Sequence, residues 1–514
     1  MKILLSYPFL DHANQSPPLG IVSLGTYLRK HGHDVLLSDS TFFKDFEHLK
    51  AALRQYQPDI VGFSLLTPFA GRLPELAKMA RELCPDSLII AGGPHVTAAP
   101  ETVLAAPEVD LCIIGEGEKT LLELAGLLAK GGRDFSSLRG IARRGPDGKV
   151  LLSAPQDFIE NLDEIGAPDR SLLPSFKDYL NFQTCFPYFM PYTYILTSRG
   201  CPFTCTFCQP MLSKQFGSKI RQRSVKAVVD EIEFLADTYR LKSLNFVDDT
   251  FLANKRWAAE VCEEIRRRGL HRRLVFMCQT NVRTFTQETA EFMRKTNFIM
   301  TLFGAESGND AILREVYKKP QTRRQIAEAF AVARRNDMIT EASLIIGAAE
   351  ETVESLEDTV SLVKELKADF LDLHYLTPTP GSELYDTYLK RGALNYTADC
   401  TPDRYTPGLL KYAHVDGDTL VRYRSKIMEA SSSAQPLFSK TSRLRMQYIA
   451  NTFRASGRKN PLKLLQLLIL DLFIPKFGWM TKAQLAYCDF RHDRSTGARR
   501  AVNKAFDAAS SLWK

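Results

Sequence analysis

Three of the chain's ten cysteines, Cys201, Cys205 and Cys208, fall within eight residues in the spacing C-x3-C-x2-C. Three thiolates so spaced can hold three irons of a cubic [4Fe–4S] cluster, and no fourth cysteine follows at similar spacing to close the cube. The fourth iron then keeps an open position for an exogenous ligand. Soft thiolates suit zinc as well, but a structural zinc wants a fourth ligand and no histidine lies near. The plainest alternative is three structural thiols in a turn. Against it, Gly200 and Pro202 shape a tight loop directly after an apolar strand, Tyr192–Thr197.

This loop resembles the signature of the radical S-adenosylmethionine (SAM) superfamily. The resemblance implies that the open iron binds the amino and carboxylate groups of SAM. It implies one-electron cleavage to methionine and a 5′-deoxyadenosyl radical, with an electron donor of the flavodoxin or ferredoxin type. Phe207, just before the last cysteine, matches the aromatic that packs by the adenine.

The elements that must position the loop follow from patterning. From Tyr194–Thr197 onward, strands over Ser243–Asp248, Leu274–Gln279, Ile299–Gly304, Thr340–Ile346 and Phe370–Leu376 alternate with helices such as Val225–Tyr239. Six βα units predict an incomplete (β/α) barrel with its site at the C-terminal strand ends. Those ends carry Asp248-Asp249-Thr250-Phe251, Gln279 through Arg283, Gly304-Ala305-Glu306-Ser307-Gly308, Gly347 with Glu350-Glu351-Thr352, and Thr377 through Ser382. All are similar to radical SAM motifs of the cobalamin-associated group. Zwitterionic SAM needs an acceptor for its ammonium and donors for its carboxylate. Glu306, beside Ser307 and Gly308, is the candidate acceptor, with helix capping as its alternative. Arg283 is the candidate carboxylate partner or a surface ion pair. Asp248, with Asp249, orients ribose or substrate or caps a helix. Gln279 belongs to the same rim, and Gly347 suits close backbone approach to the adenine. Gly347-Ala348-Ala349-Glu350 lacks the proline common in this group, which reads as a tolerated loop change.

In the N-terminal third, strands at Lys2–Tyr7, Asp34–Ser38, Ile60–Ser64, Leu88–Gly93 and Leu111–Gly115 alternate with helices at Gly20–His31, Asp45–Tyr56, Leu73–Leu83 and Thr120–Leu128. Such alternation predicts a doubly wound, Rossmann-like parallel sheet with its ligand crevice at the carboxyl strand ends. The residues there are small: Ser64, Gly92, Gly93, Gly115 and Gly117, with Glu116 between the last two. They let a bulky planar ligand approach the backbone. No G-x-G-x-x-G is present, which argues against a dinucleotide. Pro17-Pro18-Leu19-Gly20, Gly92-Gly93-Pro94-His95 and Gly115-Glu116-Gly117-Glu118 resemble the cobalamin (B12)-binding domain found ahead of many radical SAM domains. A flavodoxin-like scaffold with another site is the alternative. D-x-H-x-x-G is absent; Asp372-Leu373-His374 is a decoy, so the resemblance implies cobalamin with no histidine on cobalt. His95 is more readily a solvated loop residue than a ligand.

The chain of 514 residues is too long for one ordinary core. We expect a cobalamin-binding domain at 1–150, a linker at 151–190, a radical SAM domain at 191–400 and a mainly helical region at 401–514. The linker reads as an extended connector, and Tyr188, Tyr192 and Tyr194 as packing aromatics that could also face substrate. A net charge of +8 is modest at this length and gives no argument for nucleic acid. The seven scattered cysteines, Cys84, Cys112, Cys185, Cys262, Cys278, Cys400 and Cys488, suit a reducing cytoplasm rather than a disulfide scaffold. The N-terminal apolar run is too short for a signal peptide, and no run is long enough to span a membrane. Near the C-terminus, Pro461 opens an apolar run, Leu462–Pro475, flanked by Arg454, Arg458, Lys459, Lys463, Lys476 and Lys482, with Trp479 beyond. That pattern over 461–479 suits peripheral membrane contact or a greasy substrate, or a helix packed on the barrel or a second copy.

Together these features point to a cobalamin-dependent radical SAM enzyme that methylates an unactivated carbon of a small-molecule or lipid substrate. Two alternatives stand beside it: oxidative cyclisation with the same cofactors but no methyl transfer, and a non-catalytic corrinoid sensor. A methylthiotransferase is disfavoured, because the N-terminal third lacks the cysteines for a second cluster.

Overall fold

A computed structural model describes residues 1–10, 16–174, 176–180, 191–208, 216–396, 406–411 and 413–434. The basic-flanked run at 461–479, Tyr188, Cys185, Cys400 and Cys488 lie outside the described residues.

The N-terminal sheet holds seven strands in the order β2-β1-β3-β4-β5-β6-β7. They are β1 (Lys2–Tyr7), β2 (Asp34–Asp39), β3 (Ile60–Ser64), β4 (Leu88–Gly92), β5 (Leu111–Ile113), β6 (Ile141–Arg144) and β7 (Val150–Leu152). The first five are parallel. Each is buried on both faces, as βαβ crossovers demand. One face of the sheet packs Ile3, Leu5, Val35, Leu37 and Ile90 against Ile21, Val22 and Leu28 of helix Leu19–Lys30 and Leu121 and Leu124 of helix Gly117–Ala129. The other packs Leu4, Val61 and Phe63 against Leu49 and Leu53 of helix Glu47–Tyr56 and Leu73 and Leu76 of helix Leu73–Leu83. Adjacent residues of one strand thus belong to opposite cores, and each fully buried Leu or Ile contributes about 1.5–3 kcal/mol.

The antiparallel hairpin β6–β7 was not expected. Its turn is Gly145-Pro146-Asp147-Gly148, closed by Gly145 N–H to Lys149 O at 2.7 Å, with Gly148 at φ +78°. Proline and Asp-Gly are turn-forming residues, so the signal was present in the sequence. The segment after it is also less extended than expected. Asn161 and Asp169 accept backbone N–H groups two residues on and fold the chain into short turns at Leu162–Glu164 and Arg170–Leu172. A single helical turn, Phe176–Tyr179, follows.

The second sheet is the expected incomplete barrel, six parallel strands in the order β15-β14-β13-β12-β11-β8. Its members are β8 (Tyr192–Ile195), β11 (Ser243–Phe246), β12 (Val275–Thr280), β13 (Phe298–Glu306), β14 (Ile339–Ile346) and β15 (Phe370–Tyr375). Alternation sends Phe246, Phe276 and Phe303 outward into the helical layer, while Tyr192, Met277, Met300 and Ile339 close the floor of the lumen. Helix Val225–Tyr239 matches the expected span, started by Ser224 as N-cap. Helix Gly417–Ala434 packs on helix Val353–Leu366. One buried apolar core runs from the N-terminal sheet through Leu172, Phe176 and Tyr179 to the barrel helices, so the two halves are joined by packing.

Candidate active site

The cysteine loop leaves β8 through a two-residue strand, β9 (Ser198–Arg199), which pairs with β10 (Arg221–Gln222) beyond the loop. Gly200 sits at φ +95°, and a Cβ there would lie 2.5 Å from Lys219 O, so only glycine fits. The loop's middle is tied to the barrel: Thr206 N–H donates to Tyr317 O at 3.0 Å, Thr206 Oγ1 to Val316 O at 2.5 Å, and Leu384 N–H to Thr206 O at 3.1 Å. Phe207 sets its ring edge-on to Tyr317 at 5.1 Å.

All three thiols are partly exposed. Burial pushes each up, Cys205 to about 11 and Cys208 to about 12, and Cys208 also feels the charges of Cys205 and Cys201. Thiolate ligation therefore releases protons on loading. No three of the described His, Cys, Asp or Glu side chains converge closely enough to grip a single metal ion. A tetrahedral zinc would need that convergence, whereas a cubane spreads its thiolates over its corners. The donor set, one loop of three thiols open on one side, fits the cluster.

Asp248 departs from the expectation that it meets ribose or substrate. It is fully buried, and its carboxylate accepts Thr197 N–H at 3.0 Å, Thr197 Oγ1 at 2.9 Å and Ser198 Oγ at 2.5 Å. These bonds spend its acceptor capacity on the strand that feeds the cysteine loop. Burial still raises its carboxyl. Asp249 next to it is partly exposed and pushed up to about 7 by burial and by Asp248. Gln279 Nε2 donates to Asp248 O at 3.0 Å, joining two strand tips.

At the end of β13, Glu306 is buried with φ +61°, an uncommon conformation for a side-chain-bearing residue and one that clusters at functional sites. Its carboxylate pairs with Lys319 Nζ at 2.7 Å, and Lys319 Nζ also donates to Gly304 O at 2.7 Å. Gln321 holds the carbonyls of Gly304 and Ala305. A Cβ on Gly304 would overlap the Glu306 carboxylate and lie 2.5 Å from Lys319 Nζ. Glu306 caps no helix. Lys319 was missed from sequence because it lies in a charged Lys318-Lys319-Pro320 turn that reads as surface; burial at 8% exposure marks it. Its charge reaches Cys205 and Cys201, opposing the upward push of burial.

Three other rim residues fall differently. The Arg283 side chain is exposed and makes no ion pair among the described residues, whereas Lys319 is a buried cation beside Glu306. Ser307 is fully buried with its hydroxyl accepting Asn309 N–H at 3.2 Å, which spends it on the turn behind Glu306. Gly347 adopts φ +100°, and its N–H donates to Glu351 Oε2 at 2.5 Å. Glu351 is fully buried, and burial pushes it up to about 7.

The N-terminal sheet contributes a cleft of about 460 Å³ along the ends of β1, β3, β4 and β5. Ser64, Gly92, Gly93, Gly115, Glu116 and Gly117 all line it. Apart from Ser64, Glu116, Glu118, Arg199 and Cys208 the lining is glycine or apolar. Gly93 sits at φ +93°, and a Cβ there would lie 3.1 Å from both the N and the O of Leu65. A cleft floored by glycine and walled by Leu5, Ile21, Ile90 and Ile113 fits the apolar edge of a corrin. His95 is buried and bonds Thr102 at 3.1 Å instead of lining the cleft. Arg199 of β9, Cys208 of the cysteine loop and Phe216 after it, all of the barrel half, complete the lining.

Residues 10–125 match the model of the B12 binding domain, and residues 195–363 that of the radical SAM superfamily. An uncharacterized methyltransferase of Pyrococcus horikoshii is 34% identical over 395 residues, 75% of this chain and 83% of the relative. The anaerobic magnesium-protoporphyrin IX monomethyl ester cyclase of Rubrivivax gelatinosus is 30% identical over 401 residues, 75% of this chain and 69% of the relative. Among solved structures, the radical SAM methyltransferase TsrM of Kitasatospora setae, bound to tryptophan and a SAM analogue, shares the fold with a TM-score of 0.63 at 21% identity, over 76% of each chain. With the three thiols, the glycine-floored cleft and the incomplete barrel in place, the chain belongs to the family of radical SAM enzymes that carry a B12-binding domain.

Proposed function

We propose that the chain is a cobalamin-dependent radical SAM C-methyltransferase acting on an unactivated carbon of a small-molecule or lipid substrate. One observation carries the reading: Cys208, the last of the three thiols of the C-x3-C-x2-C loop, is also part of the lining of the glycine-floored cleft. A methyl carrier and a radical source held across one wall can serve the same carbon. When bound, the cofactors supply one-electron cleavage of SAM and carriage of a methyl group on cobalt.

The chain's own residues do the rest. Cys201, Cys205 and Cys208 hold the cluster. Glu306 accepts the SAM ammonium, and Lys319, already beside it, faces the carboxylate. Gly347 lets the adenine approach the backbone, and Phe207 packs at its edge. Ser64, Gly92, Gly93, Gly115 and Gly117 admit the corrin. Tyr192, Met277, Met300 and Ile339 close the barrel floor and keep water from a carbon radical. The electron comes from a flavodoxin- or ferredoxin-type donor.

The test is anaerobic reconstitution with cobalamin, SAM and reductant, followed by mass spectrometry with candidate substrates. S-adenosylhomocysteine together with 5′-deoxyadenosine is the expected pair. The similarity to the Rubrivivax cyclase favours a second reading, ring formation without methyl transfer. There, 5′-deoxyadenosine forms alone. Absence of any SAM cleavage contradicts both and favours a corrinoid sensor.

A further inference from the structure

Four buried charges join the two cofactor sites. Arg199 Nη2 donates to Glu118 Oε1 at 2.6 Å, and Arg199 Nη1 lies 3.3 Å from Glu116 Oε1. Arg221 grips both oxygens of Glu116, at 2.5 and 3.1 Å, and also bonds Ile159 O at 2.7 Å and Phe216 O at 2.9 Å. None of the four is more than 8% exposed. Burial works against the charge of Glu118, but Arg199 outweighs it and holds the carboxyl below its ordinary range.

The placement matters more than the count. Arg199 and Arg221 sit on the β9–β10 ribbon that brackets the cysteine loop, and Arg199 is two residues before Cys201. Glu116 and Glu118 alternate with Gly115 and Gly117, and all four line the corrin cleft. The same short segment therefore floors one cofactor site and grips the loop of the other. Arg199 lines the cleft as well, stacked over Phe216 at 5.5 Å, and its Nη1 makes no hydrogen bond of good geometry. Buried ion pairs add little net stability over apolar packing, so their use here is better explained by fixing geometry.

Building on the cobalamin–cluster reading above, we propose that Arg199 is a positioning residue that, with Glu116 and Glu118, couples the two sites: filling the corrin cleft holds the cysteine loop in its cluster-bearing form. Coupling of this kind is reciprocal, so cluster loading tightens cobalamin binding by the same factor.

The test uses the full chain, reconstituted anaerobically with and without hydroxocobalamin. Two quantities are read: the equilibrium iron and sulfide retained against graded chelator, and the cobalamin dissociation constant with and without the cluster. We expect cobalamin to raise cluster affinity by at least about fivefold, with the same factor in the reverse direction. Arg199→Lys keeps the charge but loses the two-pronged grip, and Glu118→Gln loses the ion pair. Both should bring the factor close to one. A merely structural role would weaken cluster retention equally with and without cobalamin and leave the factor intact. A factor near one in the wild-type chain overturns the proposal, whatever the variants do; so does an unchanged factor in a folded variant. If the chain binds no cobalamin or no cluster, the functional reading itself fails, and that outcome is distinct.

Discussion

The two sides of the shared wall are built on different physics. The corrin side is a question of room: glycine, Ser64 and apolar side chains, with the charges of its lining, Glu116, Glu118 and Arg199, tied up in buried ion pairs. The proposed SAM side is a question of charge: a strained Glu306, a buried Lys319 and the carboxyls of Asp249 and Glu351 pushed up to about 7. A bulky planar ring is recognised by what the backbone leaves open. A small zwitterion is recognised by opposed charges kept out of water, where each is worth more. Damage to one side should therefore look unlike damage to the other.

The largest expected effect is on the cluster. Cys201→Ala, Cys205→Ala or Cys208→Ala should abolish cluster absorbance and SAM cleavage while the folded circular-dichroism spectrum persists. Next come paired steric changes. Gly92→Leu fills the cleft and should weaken cobalamin binding by at least about tenfold, with SAM affinity of the cluster-loaded chain unchanged. Gly304→Ala drives a methyl into the Glu306–Lys319 pair; it should cost about 1–3 kcal/mol of stability and weaken SAM binding, with the cleft intact. Equilibrium dialysis of each ligand separates the two, and crossed effects would dissolve the distinction.

A smaller effect is pH-dependent. Glu351 is raised from 4.5 to about 7 by burial, so between those values the folded chain holds a proton that the unfolded chain has released. Its contribution therefore lowers stability as pH rises from about 4.5 to about 7 and is constant above. Glu351→Gln should flatten that part of the Tm–pH curve of the metal-free chain. Smallest is Ser224→Ala, which removes a helix N-cap distant in role from either site. It should cost about 1 kcal/mol in urea unfolding and leave both cofactor affinities alone. If it alters loading, global stability and not local geometry governs the sites.

Much of this was legible in the chain. Period-two and helical patterns set eleven of the strands, and the C-x3-C-x2-C loop and the glycine strand ends marked both ligand regions. What escaped was set by tertiary pairing. Asp248 looked like a rim carboxylate until Thr197 and Ser198, some fifty residues earlier, were seen to occupy it. Arg283 and Lys319 are alike on paper, and only the fold shows that Lys319 is buried beside Glu306 while Arg283 is exposed. Arg199, two residues before the first cysteine of the loop, gave no hint that its partners are Glu116 and Glu118, because its pair with Glu118 joins residues 81 apart. The Pro-Asp-Gly turn of the β6–β7 hairpin was readable and overlooked.

The central claim is that one wall separates corrin from cluster. Electron paramagnetic resonance of the chain loaded with cob(II)alamin and reduced cluster tests it most directly. The account predicts magnetic interaction between the two centres, seen as splitting or fast relaxation absent from either singly loaded form; a doubly loaded spectrum equal to the sum of the two single spectra would contradict it.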